Sequence, residues 1–223
     1  MTFLVIVIVL VATSVLNVFY SAIVTPLLQL DKRPPFFFDS TDILMTVFFY
    51  AVWFLPVVIV MKRTKQNRGS IGINRENVGR MLGVGFTLTA VLLAAEGFLA
   101  PSLGGGFTGF STSMAYAFIV YAITGFSEEI VWRGYIQTRL AAYSGTLKGL
   151  LATSMLFALV HFPVRYYQFS GAPLEALASA LLLFPTSLLL GYMMLRCQNI
   201  IPSSVFHLFL DWGTILWQIP LVL

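Results

Sequence analysis

An all-α bundle of about seven membrane-spanning helices is the fold this sequence predicts, and three observations predict it. The chain has 223 residues, of which 58% are hydrophobic and 10% charged, against roughly 25% charged in an ordinary soluble domain. Its mean hydropathy is +0.88. Apolar stretches of about 20 residues recur along it, the length a helix needs to cross a bilayer. The charges gather between those stretches, and mostly on one side. The whole chain, 1–223, reads as a single integral membrane domain.

The expected spans are 2–25, 42–61, 81–100, 113–135, 148–163, 174–195 and 201–220. They are helices because only helices and closed barrels satisfy every backbone group in lipid, and no period-two alternation appears. The first has no basic residues ahead of it and is too long for a signal h-region, so it is a true span. The second runs into the basic tract "KRTKQNRGSIGINRENVGR". The third carries Glu96 near its far end, where a carboxylate is expected to snorkel to the interface. The fourth holds Glu128, Glu129 and Arg133. The fifth ends in "FALVH" just before Pro163. The sixth is apolar up to Arg196, and the seventh contains "HLFLD".

Basic residues set the orientation. Of the 13 Lys and Arg, only Lys32, Arg33 and Arg165 lie on the side opposite the 62–80 tract. By the positive-inside rule that tract is cytoplasmic, with the N-terminus inside and the C-terminus outside. The net charge of +4 forms no single soluble patch that would suit a polyanion, and one cysteine, Cys197, excludes an internal disulfide framework. The "GGG" at 104–106 precedes no Lys-Ser/Thr and cradles no phosphate. The pairs Gly79/Gly83 and Gly145/Gly149 have the spacing of close helix packing.

Charge at bilayer depth is costly, so an intramembrane acid marks a functional site by default. Glu129 and Arg133 are four apart and share a helix face, which pairs them. Glu128 points elsewhere and is free to face a cavity. Spacing alone thus divides a structural Glu129–Arg133 pair from a reactive Glu128. The chain's two histidines, His161 and His207, both fall in apolar spans, and His207 has Asp211 one turn beyond it. Counted at 1.5 Å per residue from the basic side, Glu128 and His207 come out about 10 Å deep and His161 nearer 20 Å.

These residues form three motifs, "EEIVWR" (128–133), "FALVH" (157–161) and "HLFLD" (207–211), in order on successive helices. Together they resemble the EExxxR, FxxxH and HxxxN/D motifs of the CPBP family, the CAAX proteases and bacteriocin-processing (Abi) enzymes. The resemblance covers about 113–215, the expected motif-bearing core; the first three spans are generic membrane sequence. It implies a glutamate-dependent intramembrane endopeptidase with no metal cofactor, acting on a membrane-associated protein or peptide from a cavity open to the cytosol. By motif position Glu128 would activate water, His161 would help hold it, and His207 with Asp211 would stabilise the oxyanion, supported by Glu129 and Arg133. An ionised Asp211 cannot donate a hydrogen bond, so it either is protonated or orients His207, and the second is favoured here.

Three other readings compete. Glu128, His161 and His207 could hold zinc, although no His-Glu-x-x-His run is present. The acids and histidines could relay protons in a transporter, or belong to a non-catalytic scaffold. Cys197 with His207 could form a thiol protease, against the ordinary role of a lone apolar Cys as packing. No feature suggests nucleic acid as a partner; the bilayer and a membrane-associated substrate are the expected ones. Reporter fusions at residue 70 and at the C-terminus should give opposite signals, cytoplasmic and external respectively; like signals would mean the spans are miscounted.

Overall fold

The computed structural model describes residues 2–107 and 109–219, and these form helices with no strand among them. Six helices are long and apolar enough to cross a membrane: α1 Phe3–Leu27, α2 Ser40–Arg63, α3 Val78–Leu103, α4 Thr112–Ser144, α5 Thr146–Gln168 and α6 Pro173–Cys197. The seventh, α7 Ile201–Leu216, has 16 residues. The last residue of its expected range, 220, lies outside the described residues.

Local chemistry fixes the starts of two of these helices. Asp39 caps α2: its side chain accepts from Thr41 N at 2.7 Å, and Asp42 in return accepts from Asp39 N at 2.8 Å. This reciprocal arrangement satisfies two of the backbone donors that a helix start leaves free. Arg33 bridges both acids, at 3.3 and 2.8 Å. Ser111 caps α4 by accepting from Met114 N. The largest departure from the expected boundaries is at the other end of α4, which runs on to Ser144 rather than stopping at 135. It does so through a π-helical stretch, Ile130–Gln137, whose residues from Val131 onward are buried.

The motif-bearing helices are packed from the middle outward. α7 lies against α3 and α4, α5 lies against α6 and the second half of α4, and α2 joins α1 to α4. The α4–α7 crossing is close because Gly125 has no side chain: a Cβ there would lie 2.9 Å from Leu208 N and 3.3 Å from Ser204 O. Gly149 packs in the same way on the Ala141 backbone, as its spacing suggested. Gly79 and Gly83 face open space instead, so the expectation of packing fails there. Spacing reveals which small residues share a face, not whether a neighbour uses that face.

The basic side of the bundle is covered by the loop after α2. Its turn Arg68–Ile71 places Ile71, 4% exposed, in the same core as Trp53, Trp132, Tyr135 and Phe157. Arg139 of α4 donates to the Ser70 carbonyl at 2.9 Å and to Gln66 Oε1. Asn74 donates to the Gln198 carbonyl at 3.0 Å, Asn199 donates to Asn74 Oδ1 at 2.9 Å, and Ile200 N donates to the Gly72 carbonyl at 3.1 Å.

Because backbone, not a flexible side chain, faces Gly125, Gly125→Val should destabilise the protein by about 1–3 kcal/mol, the usual cost of overpacking. Gly83→Ala should melt at or above wild type, since it only replaces a poor helix former. Melting curves in detergent check both.

Candidate active site

The turn of α4 from Glu128 to Arg133 is the centre of the site. Glu129 and Arg133 are both 0% exposed, and Glu129 Oε1 lies 3.1 Å from Arg133 Nη1, the pair that their spacing predicts. The same Glu129 oxygen is also 3.1 Å from His207 Nδ1 on α7. Glu129 is therefore more than the partner of Arg133: it ties α4 to α7. Since the carboxylate only accepts, His207 Nδ1 is the donor. That turns Nε2 toward Glu128 Oε2, at 4.0 Å, and Asp211 Oδ2, at 3.6 Å. Asp211 thus sits beside His207, as expected, but the ring is held by two carboxylates and not by Asp211 alone.

Glu128 has a different environment from its neighbour. Its side chain is 15% exposed, and that of Asp211 30%, while Glu129 has no exposure. Glu128 Oε1 accepts a 2.8 Å hydrogen bond from the hydroxyl of Tyr50 on α2. Sequence reasoning missed Tyr50, because a tyrosine in an apolar helix has no charge or spacing to single it out. Tyr50 in turn stacks edge-on against Trp53, whose indole donates to Thr13 of α1. The first two helices therefore take part in the site, although their sequence is generic.

Phe157 organises α5. The Arg133 guanidinium lies 4.4 Å over its ring, which suits a buried cation. The rings of Trp132, His161 and His207 surround it at 5.5, 4.7 and 6.2 Å. His161 Nδ1 lies 2.7 Å from the Phe157 carbonyl. A carbonyl only accepts, so Nδ1 carries the proton and Nε2 is left as an acceptor. Arg133 also donates to Ser187 Oγ of α6 at 3.1 Å, and Gln137 donates to the Gly191 carbonyl at 2.9 Å. Ser187 is a second residue the sequence does not flag.

The depths that disagreed by residue counting are reconciled by the helix ends. α4 extends past its expected end, so Glu128 sits midway along it. α7 starts inside the protein, with Asn199, Ile200 and every residue from Pro202 to Leu208 buried. His207 is therefore deep although it is only two turns from the helix start.

Glu96 does not snorkel. It turns inward against Gly213 of α7, and its Oε2 is buried with no hydrogen-bond partner. Cys197 lies at the end of α6 and is partly buried. Among the described residues no three His, Cys, Asp or Glu side chains are grouped to hold a metal ion.

Residues 110–213 match the family described as type II CAAX prenyl endopeptidase Rce1-like. That range contains all three motifs. The chain carries an Rce1-like endopeptidase domain of the CAAX protease family. No curated protein and no solved structure matches the chain. The Rce1-like domain makes this a multi-pass membrane protein of a peptidase family, and Tyr50 and Trp53 approach the site from outside the matched residues.

Glu129→Gln should strand Arg133 and loosen His207 together. Breaking a buried ion pair from one side costs about 3–5 kcal/mol, so the variant should lose thermal stability along with any activity. Glu129→Gln with Arg133→Met should recover part of the stability and none of the activity, because the tie to His207 is still weakened. Melting curves of the two variants against wild type make the comparison; equal melting of all three would remove the ion pair from its structural role.

Proposed function

We propose that this protein is a glutamate-dependent intramembrane endopeptidase that cuts a membrane-associated protein or peptide near its C-terminus or membrane segment. The observation that supports this best is the contrast between the adjacent acids. Glu129 is enclosed and fully engaged, whereas Glu128 keeps partial exposure beside His207 Nε2 and has one oxygen fixed by Tyr50.

Peptide hydrolysis needs a base for water, a donor for the oxyanion and a proton for the leaving amine. Glu128 takes a proton from water as the hydroxide oxygen attacks the scissile carbonyl. His161 Nε2 is an acceptor and helps hold that water. The carbonyl π electrons move to oxygen, and a proton on His207 Nε2 donates to the resulting oxyanion, with Asp211 at 3.6 Å orienting the ring. The tetrahedral species then collapses, the C–N bond breaks, and Glu128 returns its proton to the amine. Glu129, Arg133 and Phe157 hold these groups in place. No step in this scheme uses a metal ion.

Glu128→Gln keeps the size of the side chain and removes the proton acceptor. Hydrolysis should fall by at least about 100-fold, the lower range for loss of general base catalysis, with the melting temperature nearly unchanged. Comparison of protein termini in cells carrying wild type and Glu128→Gln identifies the substrate, as termini seen only with wild type. Near-normal cleavage by Glu128→Gln would sink the assignment. Wild-type activity lost to a chelator and restored by zinc would move the reading to a metalloprotease.

A further inference from the structure

The two ends of the bundle differ in a way that bears on how a substrate reaches the site. At the basic end the loop after α2 is fastened over α4, α6 and α7. Ile71 is inserted into the core, and an added Cβ on Gly134 would lie 2.6 Å from the Ile71 carbonyl oxygen, so loop and helix are in backbone contact. The hydrogen bonds of Arg139, Asn74 and Asn199 described above close the remaining seams.

The opposite end, which carries the α1–α2 connection, is hollow. A cavity of about 660 Å³ lies there, bounded by Thr25, Asp31, Phe36, Tyr121 and Ile215 among others. A second, of about 430 Å³, shares Tyr20, Thr25 and Asp31 with it and extends to Tyr167 of α5. The first is of the size that binding pockets take, about 300–1,000 Å³. Two of its walls continue the faces that bear the reactive groups. Tyr121 precedes Glu128 by two turns of α4, and Ile215 follows Asp211 by one turn of α7, and residues at such spacings share a helix face. Asp211, the most exposed carboxylate of the cluster, stands between that cavity and His207.

We propose that the substrate reaches Glu128 from the end carrying the α1–α2 connection, and that the apolar stretch beside its scissile bond seats in this cavity. The occupant is an extended peptide segment. The cavity is lined mainly by aromatic and aliphatic groups, with its charges, Asp31, Arg33 and Asp42, at the connection. Arg33 is already engaged by Asp39 and Asp42, which leaves the apolar wall as the recognition surface. The direction is opposite to the cytosol-facing cavity that the family resemblance implies, if the basic loop is cytoplasmic. The proposal rests on the endopeptidase reading above.

The test uses the purified full-length protein in a Cys197→Ser background, with cleavage of a membrane substrate as readout. Thr25→Cys places a small, partly exposed thiol on both cavities; each preparation is assayed before and after reaction with a bulky maleimide. Asn74→Cys with Asn199→Cys joins two side chains already in contact and, when oxidised, locks the loop onto the start of α7; it is assayed oxidised and reduced. The expected result is a drop of at least tenfold on filling the cavity, and activity within about twofold on locking the loop. The reverse pattern, with a filled cavity tolerated or a locked loop inactive, overturns the proposal. Glu128→Gln runs alongside: if it cleaves normally the endopeptidase assignment fails, which is a separate outcome from either arm.

Discussion

One oxygen atom holds the site together. Glu129 Oε1 meets Arg133 on its own helix and His207 on α7, both at 3.1 Å and out of contact with solvent. Burying a charge is affordable only when it is paired and hydrogen-bonded, and the fold is arranged to meet that condition. Arg133 is covered by the face of Phe157 and reaches Ser187, so α5 and α6 are drawn in. His207 requires α7 to cross α4 closely, and Gly125 permits it. Four helices are thereby committed to one ionic centre, and the more open carboxylate beside it is left unencumbered.

Much of this was legible in the sequence, and for definite reasons. Charged residues in apolar helices are so unfavourable that each one carries information, which is why the two glutamates, the arginine and the histidines marked the site. The helical repeat then paired Glu129 with Arg133. Tyr50 and Ser187 escaped notice because uncharged hydroxyls are tolerated in membrane helices, and nothing distinguishes one that reaches the site from one that does not. Glu96 was misplaced for a related reason. A carboxylate near a helix end can extend to water, and only the neighbouring Gly213 shows that it turns inward.

The boundaries of α4 and α7 were the least legible features. Hydropathy measures whether a segment is apolar, not whether lipid or protein surrounds it. The continuation of α4 past 135 is polar by sequence yet enclosed by the loop and by α6, so it reads as a helix end when it is not. Within it the π-helical stretch Ile130–Gln137 also has no signature, since residues buried on every side show no periodic face. π segments commonly occur at functional sites, and this one carries Arg133 and Gln137 to their partners on α6.

The shortness of α7 bears on how the protein is made. At 16 residues it spans about 24 Å, less than the roughly 30 Å hydrocarbon thickness, and it brings His207 and Asp211 with it. A segment of that length and polarity is a poor candidate for leaving the translocation machinery alone into lipid. Its natural destination is the crevice between α3 and α4, which earlier synthesis has already supplied. Assembly of the site is then the last event of biogenesis, and the ionic centre cannot form until the chain's final helix has docked.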